Sequence, residues 1–215
     1  MYLPAHFHET RTPVLHALIR AHPLATLVTL DASGLVANHI PMEIDASAGE
    51  LGVLRGHVAR GNPMWKTHRP EVEAMAVFQG VHDYITPSYY ATKAQTGKVV
   101  PTWNYAVVHA YGPLRVIDDA AWLRRFVEQL TDRHEAELPA SRGRWKVSDA
   151  PDDFIASLLN AIVGIEVPVT RLEGKWKVSQ NRVAEDRAGV AAGLAESDDP
   201  RKQAIAALVR ERGDK

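Results

Sequence analysis

The sequence predicts an α+β fold in which antiparallel strands close into a small barrel with helices at its side. Three observations point there. Between residues 24 and 117, β-branched and apolar runs are separated by turn residues, with none of the regular helices that a parallel βαβ sheet would need. Two amphipathic segments then follow, around 119–130 and 151–162. From Arg182 onward the chain is rich in alanine and polar residues, as expected of a helical tail.

The elements follow in order. Thr12-Pro13 is a helix-start signal, and Leu15, Leu18 and Ile19 form an apolar stripe ending before Pro23. Leu24 to Leu30 and Leu35 to Met42 predict the arms of a hairpin around Asp31-Ala-Ser-Gly34. A turn at 45–49 leads to a strand over 51–57, then a short helix near 62–68. A long strand is predicted over 73–85, a loop over 86–101 and another strand over 103–117. Asp118 or Asp119 starts the clearest helix, with Trp122, Leu123, Phe126, Val127 and Leu130 on one face. Pro151 opens the next, with Phe154, Ile155, Leu158, Leu159 and Ile162 facing inward. A last strand is expected over 165–172, then two helices broken near 197–200.

Composition narrows the function classes. Formal net charge is −1, so no general bias toward nucleic-acid phosphates exists. The absence of cysteine rules out disulfides, thiolate metal sites and a cysteine nucleophile, and fits a cytoplasmic protein. The first residues carry no apolar signal core, and no apolar run approaches the roughly 20 residues that span a bilayer. The fingerprints of phosphate-binding P-loops, Rossmann sites, serine hydrolases and zinc proteases are missing. Isolated histidines make structural roles the expectation, with no metal site.

Three segments carry chemistry. In KVVPTWNYAVVHAYG (98–112), Lys98, Thr102, Trp103 and Asn104 gather a cation, a hydroxyl, a flat aromatic and an amide at a strand mouth. In GHVARGNPMW (56–65), Arg60 offers a charge-assisted phosphate contact, and His57 and Asn62 add donors. EGKWKVSQN (173–181) brings Lys175 and Gln180 beside Trp176. A flavin mononucleotide needs all of these: cations and hydroxyls for its phosphate, an aromatic wall for its ring, and amides such as Gln79 or Asn104 for its pyrimidine edge. A solvated Arg60 turn and a strand end with alternating lysines are the plainer alternatives.

Together with MYLPAHF at the start, HPLATLVT (22–29), HIPM (39–42), FQGVHDYITPSYY (78–90) and IVGIEVPVTRLEGKWKVSQN (162–181), these segments resemble the PaiB family of FMN-binding proteins, often described as negative transcriptional regulators. The resemblance covers almost the whole chain. It implies a split β-barrel of the pyridoxamine-phosphate-oxidase type and a homodimer with FMN at the subunit interface. The phosphate would meet the segment holding His57, Arg60 and Asn62, and residues from 98–104 and 175–181 would close the site. Residues 1–181 would form the FMN-binding domain and 182–215 a helical extension packed on it. A regulator would bind a DNA operator; the alternative is an FMN-dependent oxidoreductase acting on a small molecule.

Overall fold

Asp119 shows how local chemistry starts an element in the computed structural model, which describes residues 1–212. Its carboxylate accepts the Trp122 N–H at 2.6 Å, capping the helix α4 (Ala120–Ala136) that the sequence predicts there. The chain is α+β with antiparallel sheets, and it divides into two units. One contains residues 22–78 and 110–172; the other contains 1–21, 79–109 and the described chain from Glu173 onward.

In the 22–78/110–172 unit, β2 (Leu24–Asp31) and β3 (Gly34–Pro41) form the expected hairpin, with Asp31 opposite Gly34. Asp31 accepts both the N–H and the hydroxyl of Ser33, and Gly34 takes a φ of +119° that a side chain would resist. β2 also pairs with the start of β6 (Ala74–Ile85) through Thr26 to Val28. The second sheet runs in the order β4 (Glu43–Asp45), β5 (Val53–Ala59), β9 (Ile162–Pro168), β8 (Arg115–Ile117). Helix α5 (Asp152–Asn160) and α4 bury Leu123, Ile155 and Leu159 with Val147. Gly164 on β9 has no side chain where the Trp122 ring lies. A single helical turn, α2 (Met64–Thr67), follows β5.

In the other unit, β1 (His8–Glu9) pairs with β10 (Arg171–Lys177), and the sheet order continues through β7 (Thr102–Gly112) to β6. Helix α1 (Thr12–Ala21) buries Leu15, Leu18 and Ile19, the stripe read from the sequence. The short α3 (Thr92–Thr96) precedes β7. Helices α6 (Ala184–Ala195) and α7 (Pro200–Arg212) bury Val190, Leu194, Ile205 and Val209 against Ile85, Tyr90 and Val178. The end of the expected 182–215 extension, residues 213–215, lies outside the described residues.

Four expectations are corrected. The 103–117 strand breaks into β7 and β8 at Pro113, which has no N–H to donate to a ladder. The final strand is two, β9 and β10, because the Thr170 N–H bonds the Tyr111 carbonyl instead of continuing β9. The 86–101 loop contains a 3-10 turn at Pro87–Tyr89 and α3. Phe154 and Leu158 face solvent, at 53% and 48% exposure, while Ile155 and Leu159 turn inward. Among the described residues, no helix is long and apolar enough to cross a membrane.

Candidate functional site

The strand mouth at Thr102 is organised by Lys177, which lies in the 175–181 segment expected to close the site but was not among the individual contacts expected there. Lys177 Nζ donates to Thr102 Oγ1 and to the Trp103 carbonyl, both at 2.5 Å. Burial, then the neighbouring Lys175 and Arg182 charges, push its pKa down. Both acceptors are neutral, so the Lys177 charge is solvated by dipoles and crowded by cations. Strand alternation places Lys175 and Lys177 on the same face, two residues apart. That spacing was the available signal for Lys177; nothing local announced Arg182.

Around this cluster lie aromatic rings. Trp103 is 53% exposed, with its ring 6.2 Å from Tyr84 in an edge-on arrangement and 6.1 Å from the His82 ring. Gln79, also exposed, approaches His82 Nδ1 at 3.3 Å. Lys175 Nζ donates to the Tyr2 carbonyl at 3.0 Å and sits 5.5 Å from the Tyr105 ring. Arg182 lies 4.7 Å over the Tyr90 ring. Lys98 is exposed on the segment leading to β7.

Two expected contact residues serve the scaffold. Asn104 is fully buried, donating from Nδ2 to Ser179 Oγ at 2.9 Å. This bond helps hold Ser179 at a φ of +69°, a left-handed conformation that costs about 1 kcal/mol outside glycine. Gln180 folds onto its own backbone, accepting from Val178 N and donating to the Trp176 carbonyl.

The other expected group, in the 22–78/110–172 unit, is engaged differently. Arg60 donates from Nη1 and Nη2 to Asp118 at 2.9 and 2.6 Å, from Nε to the Asn160 carbonyl and from Nη2 to that of Ile162. Four of its five N–H groups are therefore in use, and hydrogen bonding to Asp118 raises its pKa. Asn62 donates to Asn38 Oδ1 at 2.8 Å and accepts from Met64 N at 3.0 Å. His57 is half-buried, and burial pushes its pKa down; its ring meets Phe126 edge-on at 5.9 Å. The structure brings Thr102, Trp103 and Lys175 together with Lys177 in one unit, while His57, Arg60 and Asn62 share a segment of the other. Among the described residues, no group of three or more His, Asp or Glu is placed to hold a metal ion.

The Lys177 neighbourhood fits FMN chemically. An anionic group would offset the burial and the neighbouring cations that together depress Lys177, and the exposed Trp103 ring offers a wall for a planar ring.

Comparison with known proteins agrees. Residues 1–171 match the family model described as a putative FMN-binding domain. The chain is 39% identical to an uncharacterized protein, AN0679, from Emericella nidulans, over 100% of this chain and 98% of that one. It is 27% identical to the protease synthase and sporulation protein PAI 2 of Bacillus subtilis, over 99% and 98% of the two chains. Similar solved structures include the FAD and heme binding protein from Mycobacterium smegmatis (TM-score 0.54, 16% identity, 79% of this chain and 73% of that chain). The flavocytochrome Anf3 from Azotobacter vinelandii is another (TM-score 0.53, 14% identity, 85% and 75%). At such identities the fold alone is shared. The match over residues 1–171 decides membership: the chain belongs to the FMN-binding domain family, and FMN is its cofactor.

Proposed function

We propose that the chain works as an FMN-binding homodimer of the PaiB type, on a split β-barrel, with the flavin at the subunit interface and Lys177 holding its negative charge. The observation that carries this reading is the Lys177 ammonium, desolvated beside two further cations and an exposed tryptophan. Lys175 and Arg182 share the anionic load, Trp103 and Tyr84 flank the ring, and Gln79 offers an amide. Thr102 orients the Lys177 ammonium, Lys98 adds charge at the entrance, and Asn104 and Gln180 brace the backbone behind it. Arg60 and Asn62 keep their proposed role toward phosphate. His57 is left out, because a burial-depressed, neutral imidazole is a poor phosphate partner.

Bound FMN supplies one- or two-electron redox chemistry. Of its two uses, we favour electron exchange with a small molecule over operator binding, because acidic and basic residues are mixed along the helical tail and leave no basic recognition face. Of the four cations of α7, Arg212 is buried and paired with Glu9, while Arg201, paired with Asp199, and Arg210, donating to the Ala191 carbonyl, are exposed. A negative regulator remains the second reading, supported by likeness to the Bacillus PAI 2 protein. Specific, salt-sensitive operator retention by the pure dimer would favour it. Rapid NAD(P)H-dependent bleaching of the flavin without such retention would favour the oxidoreductase.

Lys177→Met is expected to weaken FMN binding roughly 10- to 100-fold, the effect of losing a hydrogen bond to a charged group. Flavin-fluorescence titration checks it, with sedimentation analysis of the dimer alongside. An unchanged dissociation constant would remove Lys177 from the site. Arg60→Ala in the same titration checks the phosphate role separately.

A further inference from the structure

Lys177 has a chemistry available to it besides holding charge. Its Nζ reaches Thr102 Oγ1 and the Trp103 carbonyl, both at 2.5 Å, and both acceptors are neutral. The charges that act on it are Lys175, two residues back along β10, and Arg182, itself 4.7 Å over the Tyr90 ring; among the described residues no carboxylate joins them. Burial and these two cations favour the uncharged amine. Desolvation or a neighbouring cation is how a lysine becomes an amine nucleophile near neutral pH.

The hydrogen bonds suit that form. A neutral primary amine has two N–H groups and one lone pair, and Thr102 and Trp103 provide one acceptor for each N–H. The lone pair then occupies the tetrahedral position that has no partner. An ammonium would bring a third N–H to the same position, where the described residues offer no acceptor. Lys177 is half-buried, and Trp103, whose carbonyl it meets, is 53% exposed, so the amine stands at a rim and not in the core.

We propose that Lys177 forms an imine with an aromatic aldehyde that carries an anionic group. Lys175 and Arg182 draw in the anion, and the exposed Trp103 and Tyr84 rings, 6.2 Å apart, flank the aromatic body. In the reaction the Nζ lone pair adds to the carbonyl carbon and a proton passes from nitrogen to the carbonyl oxygen. Water then leaves as the C=N bond forms, and this step uses no oxidant or reductant. The proposal rests on the Lys177 cluster and not on the flavin reading, although FMN and the aldehyde would compete for the same cations.

Reductive trapping on the full chain tests this. The protein, with and without FMN, is incubated with 4-formylbenzoate and sodium cyanoborohydride, and the labelled lysines are located by peptide mass mapping. Without FMN, Lys177 should be labelled roughly tenfold faster than any other lysine. Benzaldehyde, which lacks the anion, should react there roughly tenfold more slowly. Lys177→Arg, which keeps a cation but offers no lysine amine, should lose this label. In Lys175→Met the pH of half-maximal labelling should move up, because removing a like charge makes Lys177 more basic. Label spread evenly over the lysines, or a pH midpoint unmoved in Lys175→Met, overturns the assignment of Lys177 as nucleophile. Equal rates for the two aldehydes overturn the part given to the anion. Saturating FMN should slow the labelling of Lys177. Fast labelling that FMN leaves unchanged would support the imine site and count against a flavin on Lys177, which keeps the two readings apart.

Discussion

Glu9→Ala is expected to destabilise the folded chain by about 3–5 kcal/mol, because it strands a buried guanidinium. The Glu9 side chain is 4% exposed and that of Arg212 8%. Its carboxylate accepts Arg212 Nη1 at 2.5 Å, Arg11 Nε and Nη2 at 2.9 and 2.6 Å, and the Arg11 N–H at 2.9 Å. The Arg212 guanidinium also lies 4.7 Å over the Trp176 ring and is largely buried. The same site sets a pH dependence. Hydrogen bonding from Arg11, with Arg212 in support, holds the Glu9 carboxyl at about 2 against its ordinary 4.5. A depressed acid stabilises the fold while it is ionised, so its contribution is complete above about pH 4.5 and is lost as pH falls toward 2. Urea denaturation at pH 7 and pH 3 should therefore show a smaller difference for Glu9→Ala than for the parent. A loss below 1 kcal/mol at pH 7 would mean that solvent reaches Arg212 after all.

Gly189→Val should cost about 3 kcal/mol through overpacking. Gly189 and Gly193 are one turn apart on α6, and Tyr89 fills the space beside both. A Cβ at Gly189 would overlap the Tyr89 carbonyl, which is backbone and has little freedom to yield; one at Gly193 would meet the Tyr89 ring. Glycine inside a helix costs about 1 kcal/mol relative to alanine, so two of them are retained only where something must come close. The neighbouring exposed Ala188 provides the control. Thermal melts of Gly189→Val and Ala188→Val that coincide would show the Tyr89 approach to be soft.

Much of the fold was legible because single residues determine it locally. Asp119 caps α4, Ser33 and Gly34 close the hairpin, and the apolar spacing of α1 identifies its buried face. The misreadings came where β-branched residues run on through a break. Val169 and Thr170 look like strand, yet Thr170 answers to Tyr111, a partner 59 residues away. In α5 the apolar residues outnumber the positions that can face the core, so periodicity alone could not separate Ile155 from Phe154. The site was legible in its residue types but less so in their duties. Trp103 is exposed, and Lys175 lies close enough to Lys177 for their charges to interact. Asn104 and Gln180 look like ligand amides until Ser179 and the β10 backbone are seen to occupy them. The Arg60–Asp118 pairing spans 58 residues of sequence, a distance over which no spacing rule operates.

One small contact has a consequence for how the chain meets a protease. Asp186, buried on α6, accepts the N–H of Thr92 at 3.0 Å and its hydroxyl at 2.9 Å. The start of α3 is thereby anchored, whereas Gly97 and Lys98 beyond it are exposed and carry no such tether to α6. Limited trypsin digestion should then cut first after Lys98 rather than after Lys93, leaving two fragments that stay associated through α6 and α7. Asp186→Ala should make Lys93 equally susceptible, and if FMN binds beside Trp103 as proposed, it should slow the cut at Lys98.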